Sequence, residues 1–171
     1  MQNRLEQPLT GALKSHILYA QAKQRACMTH TPSILHNCLY FTANSLSRVI
    51  TRMAEQEFMA TGLSPSHAFL IMLVNASPGI TQKRLCQELN LAPSTVTRFI
   101  DALVYKGYLV RQVKGKTTLV FSTDEGRALQ APIEKAWKSL HMRYVEILGL
   151  EKGDGLCALI DKASQALGKK A

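Results

Sequence analysis

The sequence predicts a mainly α-helical fold with a small β-hairpin, and three patterns carry that prediction. Residues 80–106 read as two short amphipathic helices separated by a tight turn. Residues 108–122 alternate side-chain types with period two, which indicates two strands of a hairpin. Segments with apolar residues at three- and four-residue spacing flank them, at residues 33–61 and 124–168. We interpret the whole as a winged helix-turn-helix between long dimerisation helices.

The two short helices have recognisable ends. The first follows Thr81, whose hydroxyl can cap the free N–H groups of the next three residues. It ends at Asn90, a residue type that tolerates the left-handed conformation found after helix C-termini. The second starts at Pro93, because the fixed φ of proline is already helical and its missing N–H is not needed in a first turn. It runs to Lys106, and Gly107 ends it.

The second helix has a buried stripe and an outward polar face. Its apolar residues fall at i, i+4, i+7 and i+8 from Val96, so the residues between them point outward. Those of the first two turns are small, polar or cationic, the types that reach base edges and phosphates from a helix in the major groove. We therefore expect a recognition helix, with DNA contacts at Thr81, Pro93, Ser94, Thr95, Thr97 and Arg98.

The hairpin has a cationic tip. Lys114-Gly115-Lys116 joins the two predicted strands, and a glycine between two lysines suits a tight turn. We expect both lysines to lie along phosphates or in a minor groove, with Arg111 on the strand before them. Residues 80–116 hold seven basic and two acidic side chains, a net charge of +5 out of +9 for the chain. The positive charge is therefore concentrated on the predicted DNA-binding head, residues 63–122.

The composition argues against several classes of protein. With 171 residues and 46% hydrophobic side chains, the chain can bury a core. No apolar run reaches the roughly twenty residues of a membrane span, and no signal-peptide pattern occurs, so we expect a cytoplasmic protein without membrane contact. The cysteines lack CxxC spacing and the histidines form no HxxxH pair, so we expect no metal. Without a nucleophile motif or a phosphate-binding glycine loop, we expect no enzyme and no cofactor.

The segment before the head predicts a helix that packs on two sides. We expect residues 33–61 to form one long helix capped by Ser33. Its apolar side chains follow the alternating four-three spacing of a coiled-coil contact, beginning at Leu35. Residues 1–30 form an N-terminal extension with two open interpretations. It is either an extra helix packed on the body or on a partner subunit, or an appendage upstream of a start at Met28.

The segment after the head predicts two more helices. The first continues to about Leu148 with a bend at Pro132, and the second follows a turn at residues 151–155. The apolar stripes of these helices and of residues 33–61 exceed what one head can cover. We therefore expect residues 31–171 to form a single domain that associates as a homodimer.

This order of elements resembles the MarR family of bacterial transcriptional regulators over about residues 33–167. Family members share the Ser-Thr-x-Thr-Arg motif in the recognition helix, the Lys-Gly-hydrophobic motif where the wing begins and the Thr-x-x-Gly motif after the wing. The resemblance implies a sequence-specific DNA-binding regulator, and the two-fold dimer implies a near-palindromic site on double-stranded DNA. The matching segments are residues 80–85, 91–103, 106–111 and 122–126.

Two features depart from the family pattern. Many members carry an Asp-x-Arg in a longer wing, with the arginine in the minor groove, whereas the tip here is only Lys114-Gly115-Lys116. Thiol-based peroxide sensors of the family keep a cysteine near the start of the first long helix, and Cys38 lies close to that place. A redox role and a small buried hydrophobe are the two interpretations of Cys38.

Two further alternatives stay open. His36, Tyr40 and Trp137 are candidates to line the pocket of a small-molecule effector, although aromatic residues at helical spacing more often belong to a core. A winged helix can also be a protein-interaction module without specific DNA binding. A mobility-shift assay on random duplex DNA at low and moderate salt distinguishes a DNA-binding regulator from an interaction module, because the interaction module would bind DNA at neither salt concentration.

Overall fold

The computed structural model describes residues 31–115 and 117–168. The predicted N-terminal extension, residues 1–30, and Lys116 lie outside these ranges. The chain divides into two compact units, Met1–Ile50 and Thr51–Ala171.

Within residues 31–61, two helices form where the sequence predicted one. Helix α1 spans Thr31–His36 and α2 spans Leu39–Phe58, followed by a 3-10 turn at Met59–Thr61. The prediction of a continuous helix is wrong at Asn37 and Cys38, whose backbone N–H groups donate to carbonyls three residues back, at 3.3 and 3.1 Å. Asparagine favours such a break because its side chain competes with helical hydrogen bonds.

Helix α3, Pro65–Ala76, is the central helix of the second unit. Ser64 caps it by accepting a hydrogen bond from the backbone N–H of His67, and proline occupies the first position. One face of α3 is fully buried in the core of this unit. The largest fully buried side chains of that core are Phe58, Leu70, Ile71, Leu85, Ile100, Leu103, Leu109 and Ile133.

The two predicted head helices are confirmed. Helix α4 spans Gln82–Leu89, and the hydroxyl of Thr81 accepts from the backbone N–H of Arg84 at 3.2 Å. Asn90 follows with φ at +51°, the left-handed conformation expected after a helix. Helix α5 spans Pro93–Tyr105.

The wing belongs to a three-stranded antiparallel sheet. Strands β1 (Ile80–Thr81), β2 (Leu109–Lys114) and β3 (Thr117–Ser122) lie in the order β1-β3-β2. The sequence pattern predicted β2 and β3 but not β1, which is too short to show a period of two. Lys114 pairs with Thr117, so it ends the ladder and does not belong to the loop.

Three helices follow the wing: α6 (Asp124–Ala128), α7 (Gln130–Leu148) and α8 (Leu150–Gly168). The bend predicted at Pro132 occurs earlier, as a break at Leu129. Proline lacks the N–H that would bond the carbonyl four residues back, and its ring crowds that carbonyl, so the helix is interrupted before it.

The turn predicted at residues 151–155 is wrong. The chain turns at Gly149, where φ is +83°, and α8 continues through Gly153 and Gly155. Gly153 is buried, and a Cβ atom there would come within 3.6 to 3.9 Å of Val145 and Tyr144. A side-chain methyl group at this position would therefore make ordinary van der Waals contact with α7.

No single helix in the described ranges is long and apolar enough to cross a membrane. The helical stretches Leu39–Thr61 and Pro65–Ala76 reach the length and apolar composition of a membrane span only when taken together, and they are bent by 62° relative to each other.

Candidate nucleic-acid interface

Helix α5 presents a polar and cationic face opposite a buried stripe. Val96, Ile100 and Leu103 are fully buried, as the spacing predicted. Ser94 and Arg98 are exposed in the first two turns. Within the described ranges, Arg98 makes no ion pair, so its guanidinium is available to a partner outside the chain.

A hydrogen-bonded chain locks α4 to α5 across the turn. The side-chain amide of Gln82 donates to the Thr97 hydroxyl at 2.7 Å, and that hydroxyl donates to the Pro93 carbonyl at 2.8 Å. Thr97 can therefore offer DNA only a remaining acceptor site, and its role as a DNA contact stays a prediction. Sequence reasoning missed Gln82, because only the folded turn places the first residue of α4 beside α5.

Arg111 braces the wing against the recognition helix. Its Nη1 lies 2.5 Å from the Asp101 carboxylate, and its Nη2 donates to the Thr97 carbonyl at 3.4 Å. The side chains of Arg111 and Asp101 are 30% and 54% exposed, so the pair is worth at most about 1 kcal/mol. Arg111 was predicted as a DNA contact, but in this structure it already has two partners within the head.

The tip of the wing is short and exposed. The ladder closes with Lys114 opposite Thr117, and Gly115 is the first residue after β2. Gly115 has φ at +62°, which a tight hairpin turn requires at its first loop position. Lys114 is exposed and forms no ion pair in the described part of the chain. The predicted phosphate contact of Lys116 lies outside the described residues.

A groove of about 440 Å³ separates the start of α4 from the wing strand β3, and it is lined by Thr81, Gln82, Lys83, Thr117 and Thr118. The first N–H groups of α4 give this end of the helix a partial positive charge. Lys83 adds an exposed cation that was not among the predicted DNA contacts. The Thr81 hydroxyl is already used as the helix cap. Only the tertiary contact between α4 and β3 reveals this cationic groove.

The Thr-x-x-Gly motif after the wing fixes the wing to the body. The Thr123 hydroxyl donates to the Gly107 carbonyl at 2.7 Å and accepts from the Gly126 N–H at 3.1 Å. A Cβ atom at Gly126 would lie 2.1 Å from the Tyr108 carbonyl oxygen. The motif therefore needs a hydroxyl to bond the backbone of residues 107 and 126, and a glycine to fit against the Tyr108 carbonyl.

His67 connects α3 to the recognition helix. Its Nδ1 lies 2.6 Å from the Ser64 hydroxyl, and its ring packs on Phe99 of α5 with centroids 4.5 Å apart. Burial lowers the pKa of His67, and the nearby positive charge of Lys106 lowers it further. The neutral imidazole is therefore favoured beside the recognition helix.

The remaining predicted site residues are spread over both units. His36 and Tyr40 are exposed in the first unit, and Trp137 is 45% exposed in the second. The pocket predicted from these three residues stays a prediction. Cys38 is a half-buried free thiol, and its redox role stays a prediction too.

Comparisons with known proteins agree with this architecture. Residues 61–116 match the model of the MarR family. No curated protein matches the chain. Among solved structures, the chain is similar to the transcriptional repressor CouR bound to a 23-mer DNA duplex, at 22% sequence identity and a TM-score of 0.69 over 76% of this chain and 94% of that one.

Two ligand-bound structures are also similar. CouR from Rhodococcus jostii RHA1, bound to p-coumaroyl-CoA, shares 21% identity at a TM-score of 0.64, over 78% of this chain and 93% of that one. The PcaV transcriptional regulator from Streptomyces coelicolor, in complex with its natural ligand, shares 19% identity at a TM-score of 0.66, over 82% and 95% of the two chains. These likenesses confirm the predicted fold class of a winged helix between long helices. The head of this chain therefore matches the model of the MarR family, and the fold of the described residues is similar to that of solved winged-helix transcriptional regulators.

Proposed function

We propose that the chain is a sequence-specific DNA-binding transcriptional regulator. The observation that carries this proposal is the exposed Arg98, which forms no ion pair with any described residue. It lies in the first turns of a helix that Gln82 connects to α4 and Arg111 connects to the wing. A side chain on such a rigid helix can read base edges in the major groove with little further ordering. CouR and MepR, which share the fold, have been solved with DNA.

The cations of the head divide between sequence reading and general affinity. Ser94 and Arg98 lie at the start of α5, the end that a recognition helix directs at base edges. Lys83 borders the groove beside α4, and Lys114 ends the wing ladder. Lysines in such places suit phosphates, whose contacts position a protein without reading sequence.

We further propose that the regulator is a homodimer. Helix α8 exposes Leu159, Ile160 and Leu167 to solvent at 66%, 45% and 59%. Within the first unit, Leu39 is 64% exposed. Apolar side chains repeated along one helix favour burial against a partner, and a two-fold dimer is the simplest assembly that buries them.

A two-fold dimer would place two copies of α5 on one face of a duplex. The half-sites should then be near-palindromic and about one helical turn, or roughly 10 base pairs, apart. We propose that this binding occurs in the cytoplasm, without catalysis, and that a small-molecule effector adjusts it.

The function is tested by enrichment of bound duplexes from a random library with the purified full chain, followed by footprinting. We expect an enriched near-palindromic motif and two protected patches on one face of the DNA. Enrichment of a single asymmetric half-site would contradict the proposed dimer. Absence of binding to any duplex at low and moderate salt would favour the protein-interaction module instead.

A further inference from the structure

We propose that Asn75 is a positioning residue that holds the wing against α7, and that the DNA affinity supplied by the wing depends on it. The inference rests on the proposed function, because it concerns affinity for DNA. Asn75 lies in the last turn of α3, within the second compact unit, and its side chain is half-buried. Three elements that follow later in the chain meet at this end of α3.

The side-chain amide of Asn75 connects these three elements. Its Oδ1 accepts from the Ser122 hydroxyl at 2.5 Å, at the end of β3. Its Nδ2 donates to Gln130 Oε1 at 2.9 Å, at the start of α7, and to the Gly126 carbonyl of α6 at 3.4 Å. Asn75 therefore joins the end of the wing to both helices that come after it.

The hydrogen bonds continue along α7 and all run in one direction. Gln130 Nε2 donates to Glu134 Oε1 at 2.7 Å, so the chain starts at the Ser122 hydroxyl and ends on a carboxylate. Hydrogen bonds in such a chain polarise one another and are strengthened by it. A reversed Asn75 amide would set its oxygen against the oxygens of Gln130 and Gly126. The network therefore holds the Asn75 side chain in one orientation.

The start of α7 depends on this network because it lacks a local cap. The helix breaks at Leu129, whose side chain makes no capping hydrogen bond to α7. By contrast, α6 begins with a cap from Thr123. A side-chain cap is the usual local device that fixes where a helix begins. For α7, the bonds of Gln130 to Asn75 and Glu134 take that place and refer the helix to the end of the wing.

Loss of Asn75 should loosen the wing and leave it folded. Ser122 is only 9% exposed, so its hydroxyl would lose its partner in a buried place, and a shift of the strand end toward water would relieve that cost. Two other attachments remain: the Thr123 hydroxyl donates to the Gly107 carbonyl, and Arg127 donates to the Ser122 carbonyl. A looser wing must be ordered when it binds phosphates, which lowers its contribution to affinity.

Hydrogen exchange of the full chain without DNA, measured by mass spectrometry, tests the positioning role. Ser122→Ala and Asn75→Leu should each speed exchange in peptides covering β2 and β3 by at least about fivefold, because an unpaired buried group favours local opening by that factor or more. Peptides of α5 should exchange as in the wild type. The matched control is Ser77→Ala, which changes an exposed serine at the end of the same helix and should alter nothing.

The double variant Ser122→Ala with Asn75→Leu tests whether the two side chains act through one bond. It should exchange no faster in the wing than Asn75→Leu alone, because no buried hydroxyl is then left without a partner. A further increase in the double variant would overturn the proposed network. Equal acceleration in the peptides of α5, or none in the wing, would overturn the positioning role.

DNA titrations then ask whether Asn75 acts through the wing. Asn75→Leu should weaken binding in the wild-type background and add no further loss to the double variant Lys114→Ala and Lys116→Ala. A role in stability alone would cost the same affinity in both backgrounds, and that result would overturn the proposal. If the wild-type chain bound no duplex, the proposed regulator function would fail, whereas the exchange measurements would still decide whether Asn75 holds the wing.

Discussion

At the scale of single residues, the cationic side chains of the head differ in whether they already have an ion-pair partner within the head. Arg98 and Lys114 have no ion-pair partner among the described residues, whereas Arg111 is bound to Asp101 and to the Thr97 carbonyl. The sequence placed all three side chains on the predicted DNA face. It could not show that Arg111 has a partner within the head, because Asp101 and Arg111 are ten residues apart and come into contact only when β2 packs beside α5. Arg111 is therefore expected to position the wing.

The variant Arg111→Lys distinguishes bracing from phosphate binding. A lysine ammonium keeps the charge but lacks the planar fork that reaches both Asp101 and the Thr97 carbonyl, so Arg111→Lys should behave like Arg111→Ala. Both should narrow the ratio of specific to random DNA affinity by up to about fivefold, the equivalent of the roughly 1 kcal/mol upper value of an exposed pair. Fluorescence anisotropy on an enriched and a random duplex measures this ratio. A Lys variant that matched the wild type would assign Arg111 to phosphate.

The lowered pKa of His67 predicts that the stability of the head depends on pH. Burial, aided by Lys106, lowers the pKa of His67 in the folded chain below its ordinary value of about 6.5. At pH values above about 6.5 the imidazole is neutral in both states, so the shift has no effect there. As the pH falls below that value, the unfolded chain takes up the proton first, and stability is lost until the folded pKa is passed.

The variant His67→Gln should therefore flatten part of the pH dependence. Its melting temperature should fall less between pH 7.5 and 5.5 than that of the wild type, because glutamine keeps a polar partner for Ser64 but does not titrate. Thermal unfolding followed by circular dichroism at both pH values checks this. If the melting temperatures of the wild type and the variant fell in parallel with pH, His67 would not contribute to the pH dependence of stability.

At the scale of elements, the sequence predicted the helices whose ends carry local signals. The Thr81 cap and the left-handed Asn90 bound α4, and both depend only on neighbouring residues. The break at Asn37 was missed because apolar periodicity continues across it, whereas the helix end predicted at about Leu148 is confirmed and only the turn after it was placed too late, at residues 151–155. Periodicity reports which face is buried, and a helix break that keeps the face in register leaves no trace in it.

Gly126 is expected to be the least replaceable glycine of the described elements. A Cβ atom there would lie 2.1 Å from the Tyr108 carbonyl oxygen, which is backbone and cannot rotate away. Gly126→Ala should therefore lower the free energy of unfolding by at least about 2 kcal/mol, as overpacking does. Urea denaturation gives this difference directly.

Gly155→Ala is the matched control for Gly126→Ala. Gly155 also lies within a helix, but a Cβ atom there would meet open space. Alanine should then stabilise the chain by about 0.5–1 kcal/mol, because glycine is a poor helix former. If both variants changed stability equally, the close approach of α6 to Tyr108 would not be what fixes the wing.

At the scale of the whole molecule, the sequence predicted the architecture better than the contacts of the site. The bounds of the recognition helix could be predicted because Pro93 and the stripe from Val96 are local features. The link from Gln82 to Thr97 and the cationic groove beside Lys83 could not, since both arise from packing between elements that the pattern treats separately.

The proposed homodimer depends on the apolar face of α8. Light scattering of the full chain should give twice the 18.9 kDa mass of one chain. Ile160→Glu should shift the protein toward the monomer, because it places a carboxylate within the exposed apolar stripe. Lys162→Glu, an exposed change of charge on the same helix, is the control and should leave the dimer intact. A monodisperse wild-type monomer at micromolar concentration would contradict the proposed assembly.

The central claim is that α5 reads sequence while the wing supplies affinity, and salt-dependent binding titrations test it most directly. They compare Arg98→Ala with the double variant Lys114→Ala and Lys116→Ala, on an enriched and a random duplex, with Arg52→Ala as an exposed control on α2. Arg98→Ala should cost about 1–3 kcal/mol on the enriched duplex and narrow its advantage over random DNA.

The wing variant should weaken both duplexes alike, because phosphates are the same in every sequence. It should also flatten the slope of log affinity against log salt by about one unit for each phosphate that a subunit no longer neutralises. Arg52→Ala should leave the ratio of the affinities for the two duplexes unchanged. A wing variant that abolished selectivity while Arg98→Ala kept it would contradict the central claim, because the wing would then read the sequence and α5 would supply only general affinity.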